Sequence, residues 1–491
     1  MAQAICGQTS SCRSHRDFDM SGAAASEPMA AARGSSRKRK LTPVGRSWLR
    51  GLHDPRMQMP EATITAIVYY DRAPTLAAVS AAYEQHIWPQ YRFSSCAVDG
   101  YWVPVQGPMD RSYHFAEKAV ADEAAIQAFA NSVMCLPLDH TRPLWTITIL
   151  RAKTGRSALV FRVHHVISDG LGLLFSYLPI LDVDGGDVLS KIPLPSILLG
   201  KRPVRQQRPD NSIQRKSTCV AFCHMLSGCF KQARMFVRGV LSLLIMKPDA
   251  EIKMNPRLSQ RKPFLSFSGR HVFTPMPPVP MSVVKGVREK HGCTVNDAIM
   301  AALAGAFRRY NAEDLQDPLM QQSDPIECKA FMLLALPRPV SAEDPSASLV
   351  NNILTPVLKL PIDEPLAAGR IRRTVDGCGD LKSKAYLTGI SLTTKLITAV
   401  LPTQAMKAIA SQSVSQCTCN VTCLPLTTVP LRLLGEQISE VQVLFINNIP
   451  QVSLMTYNGS VFWNIIADPA LIPDPLALGR HFVEEMANMA K

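Results

Sequence analysis

One ten-residue stretch carries residue types that could do chemistry together: Phe161-Arg162-Val163-His164-His165-Val166-Ile167-Ser168-Asp169-Gly170. An apolar run with strand character ends on two histidines, and an aspartate and a glycine follow where a helix should open. A side chain at a strand end beside a tight turn is held firmly at the mouth of a cleft. An imidazole there, with a reference pKa of ~6.5, can remove a hydroxyl proton near neutral pH if it is neutral and fixed in one tautomer. The N-terminus of the following helix would disfavour the protonated form. Gly170 allows a turn or a close approach where a Cβ would not fit. Asp169 could accept a hydrogen bond or pair with an arginine and so lock the turn. Acyl transfer from a thioester to an alcohol is one reaction that needs such a base, which takes the hydroxyl proton as the carbonyl is attacked. A histidine pair on a strand is more often structural, and residue chemistry alone leaves that reading open. A GxSxG elbow, an HExxH pair, a Walker A loop and a GxGxxG in a strand–helix setting are all missing, which removes several rival enzyme classes.

The elements around the stretch follow from periodicity. Glu61 to Tyr70 reads as a strand, as do Pro143 to Arg151 and Ser157 to His164, the last two joined by a short hairpin link containing Gly155. Pro74 to Trp88 has helical spacing, and a helix is expected from about Ser168 to Leu181. Ser217 to Met246 is apolar but broken by Lys231, Arg234 and Arg238, so it reads as one or two amphipathic helices that could lie on a membrane or on the protein body. Met281 to Lys290 and Thr294 to Tyr310 should be helices, the second capped by Thr294. Phe331 to Leu336 is an apolar strand. Val452 to Tyr457 and Val461 to Ile466 flank Asn458-Gly459, a strong hairpin turn. Pro475 to Ala490 should be the closing helix.

Composition sets wider bounds. The 491 residues are 47% hydrophobic and 19% charged, which suits a globular enzyme of two or three domains. Aromatic residues are only 7%, so stacking on nucleic-acid bases is a poor expectation. The net charge of +14 is uneven: residues 191–270 hold 16 Lys and Arg against 3 Asp and Glu, a balance of +13. Such a segment attracts phosphates, whether of nucleic acid, lipid head groups or a phosphorylated cofactor. The 13 cysteines are odd in number and contain no CxxC, so they read as reduced thiols without a metal site. Residues 1–40 lack the apolar core of a signal peptide and read as a disordered basic tail. With no apolar run of 18 residues, no transmembrane helix is expected.

The histidine stretch, HHxxxDG, resembles the active-site motif of the coenzyme A-dependent acyltransferase superfamily, and its flanks resemble the wax ester synthase/diacylglycerol acyltransferase family within it. Pro137-Leu138-Asp139 with Arg142-Pro143-Leu144-Trp145 looks like that family's PLD and RPLW motifs. Val295-Asn296-Asp297 resembles its VND motif, Asn351-Asn352 sits where it has a Gly-Asn pair, and Ala467-Asp468 with Ile472-Pro473-Asp474 resembles its C-terminal signature. The likeness runs from about Leu41 to the C-terminus. One departure stands out: Cys419-Asn420-Val421-Thr422-Cys423-Leu424-Pro425 occupies the place of the family's Ser-Asn-Val-Pro-Gly-Pro.

The resemblance implies an α/β fold of two chloramphenicol acetyltransferase-like domains, mixed sheets flanked by helices, with a tunnel between them. The expected division is a tail over 1–40, an N-terminal domain over 41–190, a basic linker over 191–270 and a C-terminal domain over 271–491. It implies transfer of a long-chain acyl group from acyl-CoA to a long-chain alcohol or diacylglycerol, with His165 as base and no retained cofactor or metal. His164, Asp169 and Gly170 complete the catalytic motif, His164 and Asp169 in structural roles. Asn296 and Asp297 would support the centre of the tunnel, with an oxyanion-donor role for Asn296 as the weaker alternative. Pro143, Leu144 and Trp145 would line a substrate channel or pack behind the hairpin. Peripheral contact with the cytoplasmic face of the endoplasmic reticulum or a lipid droplet is expected, and no nucleic-acid partner. A condensation-type acyltransferase taking a carrier-bound thioester and a non-catalytic lipid-binding relative are the alternatives.

Overall fold

Two seven-stranded mixed sheets organise the chain, a computed structural model of which describes residues 38–51, 61–193, 218–242, 245–256, 268–322, 324–338, 344–402 and 416–491, with 405, 413 and 414 besides. The expected tail over 1–40, as far as residue 37, and the linker stretches 194–217 and 257–267 lie outside these residues.

The first sheet takes β1 (Thr63–Tyr70), β2 (Phe115–Val120), β3 (Trp145–Ala152), β4 (Ser157–His164) and β5 (Leu181–Val183) from the first half of the chain. The second takes β6 (Val272–Pro280), β7 (Lys329–Ala335), β8 (Ile353–Leu354) and β9 (Cys419–Pro425). The chain then returns to the first sheet with β10 (Leu431–Leu433) and β11 (Glu436–Leu444) before closing the second with β12 (Gln451–Tyr457) and β13 (Ser460–Ala467). The strand orders are β2-β3-β4-β1-β11-β10-β5 and β8-β7-β9-β12-β13-β6. A short strand, Val357–Lys359, also pairs with β7. In each sheet parallel pairs sit among antiparallel ones, β2 with β3 in the first, and β7 with β9 and β9 with β12 in the second. Since β11 is the inner neighbour of β1, the first sheet is complete only with strands from the far end of the chain.

Local chemistry explains most boundaries. Asn458 (φ 43°) and Gly459 (φ 76°) both take the left-handed backbone that a two-residue hairpin needs, and β12 and β13 pair on either side of them. The helix Val295–Arg309 begins at a capping box in which Thr294 and Asp297 each accept from the other's backbone N–H. Two expectations needed correction. The stretch 74–88 divides into Leu76–Ala82 and a wider π-turn, Tyr83–Ile87. The helix expected over 168–181 stops at Ser176, and Pro179 confines the remainder to a 3-10 turn, Leu178–Ile180. Val272–Pro280, with four prolines, is an edge strand, where missing N–H groups cost no ladder bonds. The altered 419–425 segment runs straight through as β9, Thr422 and Cys423 opposite Ser453 and Leu454, because neither interrupts the ladder as Pro-Gly would.

Small residues set the packing of the second half. The helix Val295–Arg309 is buried from Asp297 to Phe307 and packs on the closing helix, Pro475–Ala490. A Cβ on Gly305 would stand 2.4 Å from Glu485 Oε2, so glycine there makes room for a carboxylate that Arg370 neutralises, both side chains nearly sealed from water. Removing one member of such a pair strands a buried charge. Arg370→Met should therefore lower stability by about 3–5 kcal/mol, and Arg370→Met/Glu485→Leu should recover much of it. Urea unfolding followed by circular dichroism tests the pair of variants, and equal losses in both would refute the account.

Candidate active site

His165 follows the last residue of β4, and its backbone N–H continues the strand pairing by donating to Ala62 O at 2.7 Å. Its ring is buried between two aromatics, stacked on Trp48 at 4.5 Å and edge-on to Phe445 at 5.3 Å. Trp48 comes from an N-terminal helix, Pro43–Gly51, and Phe445 from the residue after β11. Asn351 fixes the ring's orientation. Its Nδ2 donates to His165 O at 2.7 Å, so its Oδ1, 2.8 Å from His165 Nδ1, must be the acceptor of an Nδ1–H. The remaining nitrogen, Nε2, then carries the lone pair that a base requires.

Burial pushes the His165 pKa below its ordinary value, and it outweighs the opposing pull of the Asp169 charge and of the hydrogen bonds. The expected influence of the next helix's N-terminus is opposed by the residue that caps it. That helix, Gly170–Ser176, has seven residues, and its first turn is capped by the Asp169 carboxylate, which favours the protonated form. Desolvation does the work instead.

Asp169 is buried and fully engaged. Oδ1 accepts from Gly172 N at 3.0 Å, Oδ2 from Asn352 N at 2.9 Å, and both oxygens meet the guanidinium of Arg338 at 2.5 and 2.9 Å. Ser168 Oγ adds a bond to Val350 O at 3.1 Å. The carboxylate is thus a clamp between the 168–172 turn and the 348–352 segment, with both oxygens occupied. Gly170 needs correction: a Cβ there would meet only Leu424 Cδ2, at 3.8 Å, an ordinary contact. The close approach lies two residues on, where a Cβ on Gly172 would fall 2.1 Å from Ser168 Oγ and 2.6 Å from Ser348 O.

His164 points elsewhere. Its Nδ1 accepts from Val166 N at 3.0 Å, which leaves its Nε2–H facing Glu61 Oε1 at 3.5 Å. The same carboxylate bonds His140 and accepts from Leu138 N at 2.8 Å. Burial works to raise the Glu61 pKa, but His140 and His164 together bring it below the ordinary value, and the bond to Glu61 raises that of His140. His164 therefore anchors the strand end from behind while His165 faces Trp48.

Pro143, Leu144 and Trp145 are buried at the start of β3. Trp145 Nε1 donates to Phe93 O at 2.9 Å, and the indole stacks on His114 at 3.9 Å, so these residues pack behind the hairpin. Leu144 O receives the N–H of His164 at 2.9 Å, which ties this core to the motif. Pro143 also lines a cavity of about 280 Å³ with Trp88, His114 and Arg142. Asn296 stands exposed on the first turn of its helix. Asp297 is committed to Thr294 and to Lys382 Nζ at 3.1 Å. Neither shares a hydrogen bond with His165. Trp48, Arg338, Glu61 and Phe445 escaped the sequence reading because nothing in their types or spacing marks them. Asn351 and Asn352 were visible only as a motif position.

A family model described as the wax ester synthase/diacylglycerol acyltransferase catalytic domain matches residues 93–299, and the family's C-terminal domain matches 350–490. The chain belongs to this family. A Mycobacterium bovis relative named for diacylglycerol O-acyltransferase is 28% identical over 267 residues, covering 51% of this chain and 56% of its own length. The chain thus spans about half the length of the curated relatives it matches. Among solved structures, the wax ester synthase/diacylglycerol acyltransferase of Marinobacter aquaeolei VT8 covers 92% of this chain and 98% of its own, at 16% identity and a TM-score of 0.58. The first condensation domain of the CDA synthetase covers 93% and 98%, at 13% identity and a TM-score of 0.56. Both likenesses are of fold, and they agree with the expected two-domain architecture of mixed sheets flanked by helices.

The clamp makes a prediction about two neighbours in this family member. Asp169→Asn leaves the Arg338 charge buried without its partner and should cost about 3–5 kcal/mol. Gly172→Ala should also destabilise, while Gly170→Ala stays close to wild type. Thermal unfolding measured beside kinetics checks this. An Asp169→Asn protein with an unchanged melting temperature and no activity would assign the carboxylate a chemical role instead.

Proposed function

We propose that the protein is an O-acyltransferase that moves a long-chain acyl group from acyl-CoA to a long-chain alcohol or a diacylglycerol, giving a wax ester or a triacylglycerol. The observation that carries this reading is the His165 ring itself: neutral by burial, with Nδ1–H held by Asn351 and the Nε2 lone pair left for a substrate proton. Nε2 takes the proton of the alcohol as its oxygen attacks the thioester carbonyl. The tetrahedral intermediate then collapses, the C–S bond breaks, and the imidazolium returns the proton to the leaving thiolate. The products are ester and free CoA, and no acyl-enzyme is formed. The Trp48 and Phe445 rings beside the imidazole support the reading, since apolar walls limit water as a competing acceptor. The same proposal seats the enzyme peripherally on the cytoplasmic face of the endoplasmic reticulum or a lipid droplet, consistent with the +13 balance of residues 191–270.

Labelled palmitoyl-CoA offered with hexadecanol and diacylglycerol in parallel tests the reaction, and a carrier-protein thioester in place of CoA tests the condensation alternative. Failure of both acceptors to consume acyl-CoA would overturn the proposal. His165→Ala should lower CoA release by ~10²–10⁴-fold, or about 3–5 kcal/mol of barrier, with circular dichroism unchanged. His164→Ala should lose less. A folded His165→Ala enzyme keeping more than about a tenth of the rate would place the base elsewhere.

The pH profile adds an independent check. A base with a depressed pKa is protonated, and lost, only as pH falls through that depressed value. The kcat/KM should therefore hold from neutral pH down to about 6.5 and decline only below it. An acid limb beginning above pH 7 would contradict a desolvated His165.

A further inference from the structure

More than half of the large apolar side chains left exposed among the described residues lie on two helices or immediately after the first. These helices are Thr218–Leu241 and Lys384–Val400. On the first, Phe230, Val237 and Leu241 are exposed at spacings of seven and four, so they fall within about 40° of one another around the axis. On the second, Leu392, Leu396 and Val400 form a stripe at intervals of four. The exposure is large, 74% at Phe230, 61% at Leu396 and 68% at Val400. The two helices cross so closely that a Cβ on Gly239 would lie 2.2 Å from Tyr386 O, and one on Gly389 would lie 2.4 Å from Phe236 O. They form one platform. Neither helix contains an acidic residue, and Lys231 and Arg234 are exposed beside Phe230.

We infer that this two-helix platform is the face by which the protein docks on an anionic phospholipid surface. Charge selects that occupant: an apolar stripe edged by lysine and arginine without a carboxylate on either helix complements acidic head groups over acyl chains. Among the described residues no helix is long and apolar enough to cross a membrane, so contact through this face would be interfacial. The platform also lies where delivery of a greasy acceptor would matter. The helix Lys384–Val400 packs on Pro43–Gly51, which carries Trp48, and on β8, which directly follows Asn351 and Asn352. The elements that bring Trp48 and Asn351 to the His165 ring are thus the platform's immediate neighbours. The functional part of this inference rests on the acyltransferase reading; the docking itself does not.

The experiment is flotation of the full chain with vesicles of phosphatidylcholine alone and with about 30 mol% phosphatidylserine. Phe230→Ser/Leu396→Ser removes the apolar anchors, and Lys231→Glu/Arg234→Glu reverses the charge; circular dichroism and CoA release with a detergent-dispersed alcohol serve as controls. The wild type should favour the anionic vesicles. Each basic residue in contact contributes about a five-fold gain in partitioning, so the charge-reversed protein should lose at least ~25-fold. The serine variant should lose binding to both vesicle types, with folding intact. Wild-type binding that ignores phosphatidylserine, or variants that float as well as wild type, would overturn the proposal. So would a concentration-dependent dimer, seen by light scattering and abolished in both variants, without vesicle binding, since the face would then belong to a second copy. Flotation as expected with no CoA release from any protein would leave the surface standing and remove the acyltransferase reading.

Discussion

The buried pairing of Asp169 with Arg338 is the constraint on which the site depends. Both groups have been taken out of water, and each is tolerable only because the other is there. Two parallel N–H···O bonds make the pairing directional, so it fixes orientation as well as proximity. Arg338 belongs to the stretch just after β7 of the second sheet, Asp169 to the turn after β4 of the first. The same carboxylate receives Asn352 N, and this sets Asn351 one residue away from the clamp and against His165. An electrostatic bond between sheets is thereby converted into the tautomer of a ring that neither charged group touches. The aspartate of the motif serves the histidine by holding its partner in place.

A second division of labour concerns the two histidines. His164 is the last residue of β4 and His165 the first of the turn that follows, closed by Ile167 N donating to His164 O, so the two side chains enter different surroundings. His164 enters a carboxylate-bound cluster with Glu61 and His140, whereas His165 enters an aromatic slot. The polar cluster behind the strand end and the apolar slot in front of it are what make the pair unequal. Trp145, sealed in the core beneath, extends this support through the Leu144 carbonyl to the His164 N–H.

What could be read from the sequence follows the range of the forces involved. Strands β3 and β4, the Asn458-Gly459 hairpin, the Thr294 cap and the closing helix are set by neighbours within a few residues, and all were legible. His165 and Asp169 were legible because a short motif carries them. Asn351 and Trp48 reach the His165 ring, and Arg338 reaches Asp169, from over 100 residues away, and an asparagine, an arginine or a tryptophan in a loop or an amphipathic helix announces nothing by itself. Gly170 drew attention through the motif, although the steric need is at Gly172, where the obstacle is Ser348, far along the chain. The four prolines of Val272–Pro280 are incompatible with a central strand, and its position at a sheet edge reconciles them.

The exchange of strands between the two sheets has a consequence for how the protein is made. β1, which pairs directly with the strand that ends in His164, has β11 as its other neighbour, and β11 begins about 370 residues further on. On a ribosome adding ~5–20 residues per second, the free edge of β1 waits roughly 20–70 s for its partner. During that interval the first half of the chain is an open sheet with an unpaired, strongly apolar central strand, the kind of template that pairs with the wrong chain. His165 therefore reaches its aromatic slot late, since Phe445 arrives with β11, and the nascent protein should lean on chaperones more heavily than a chain whose two domains close in succession.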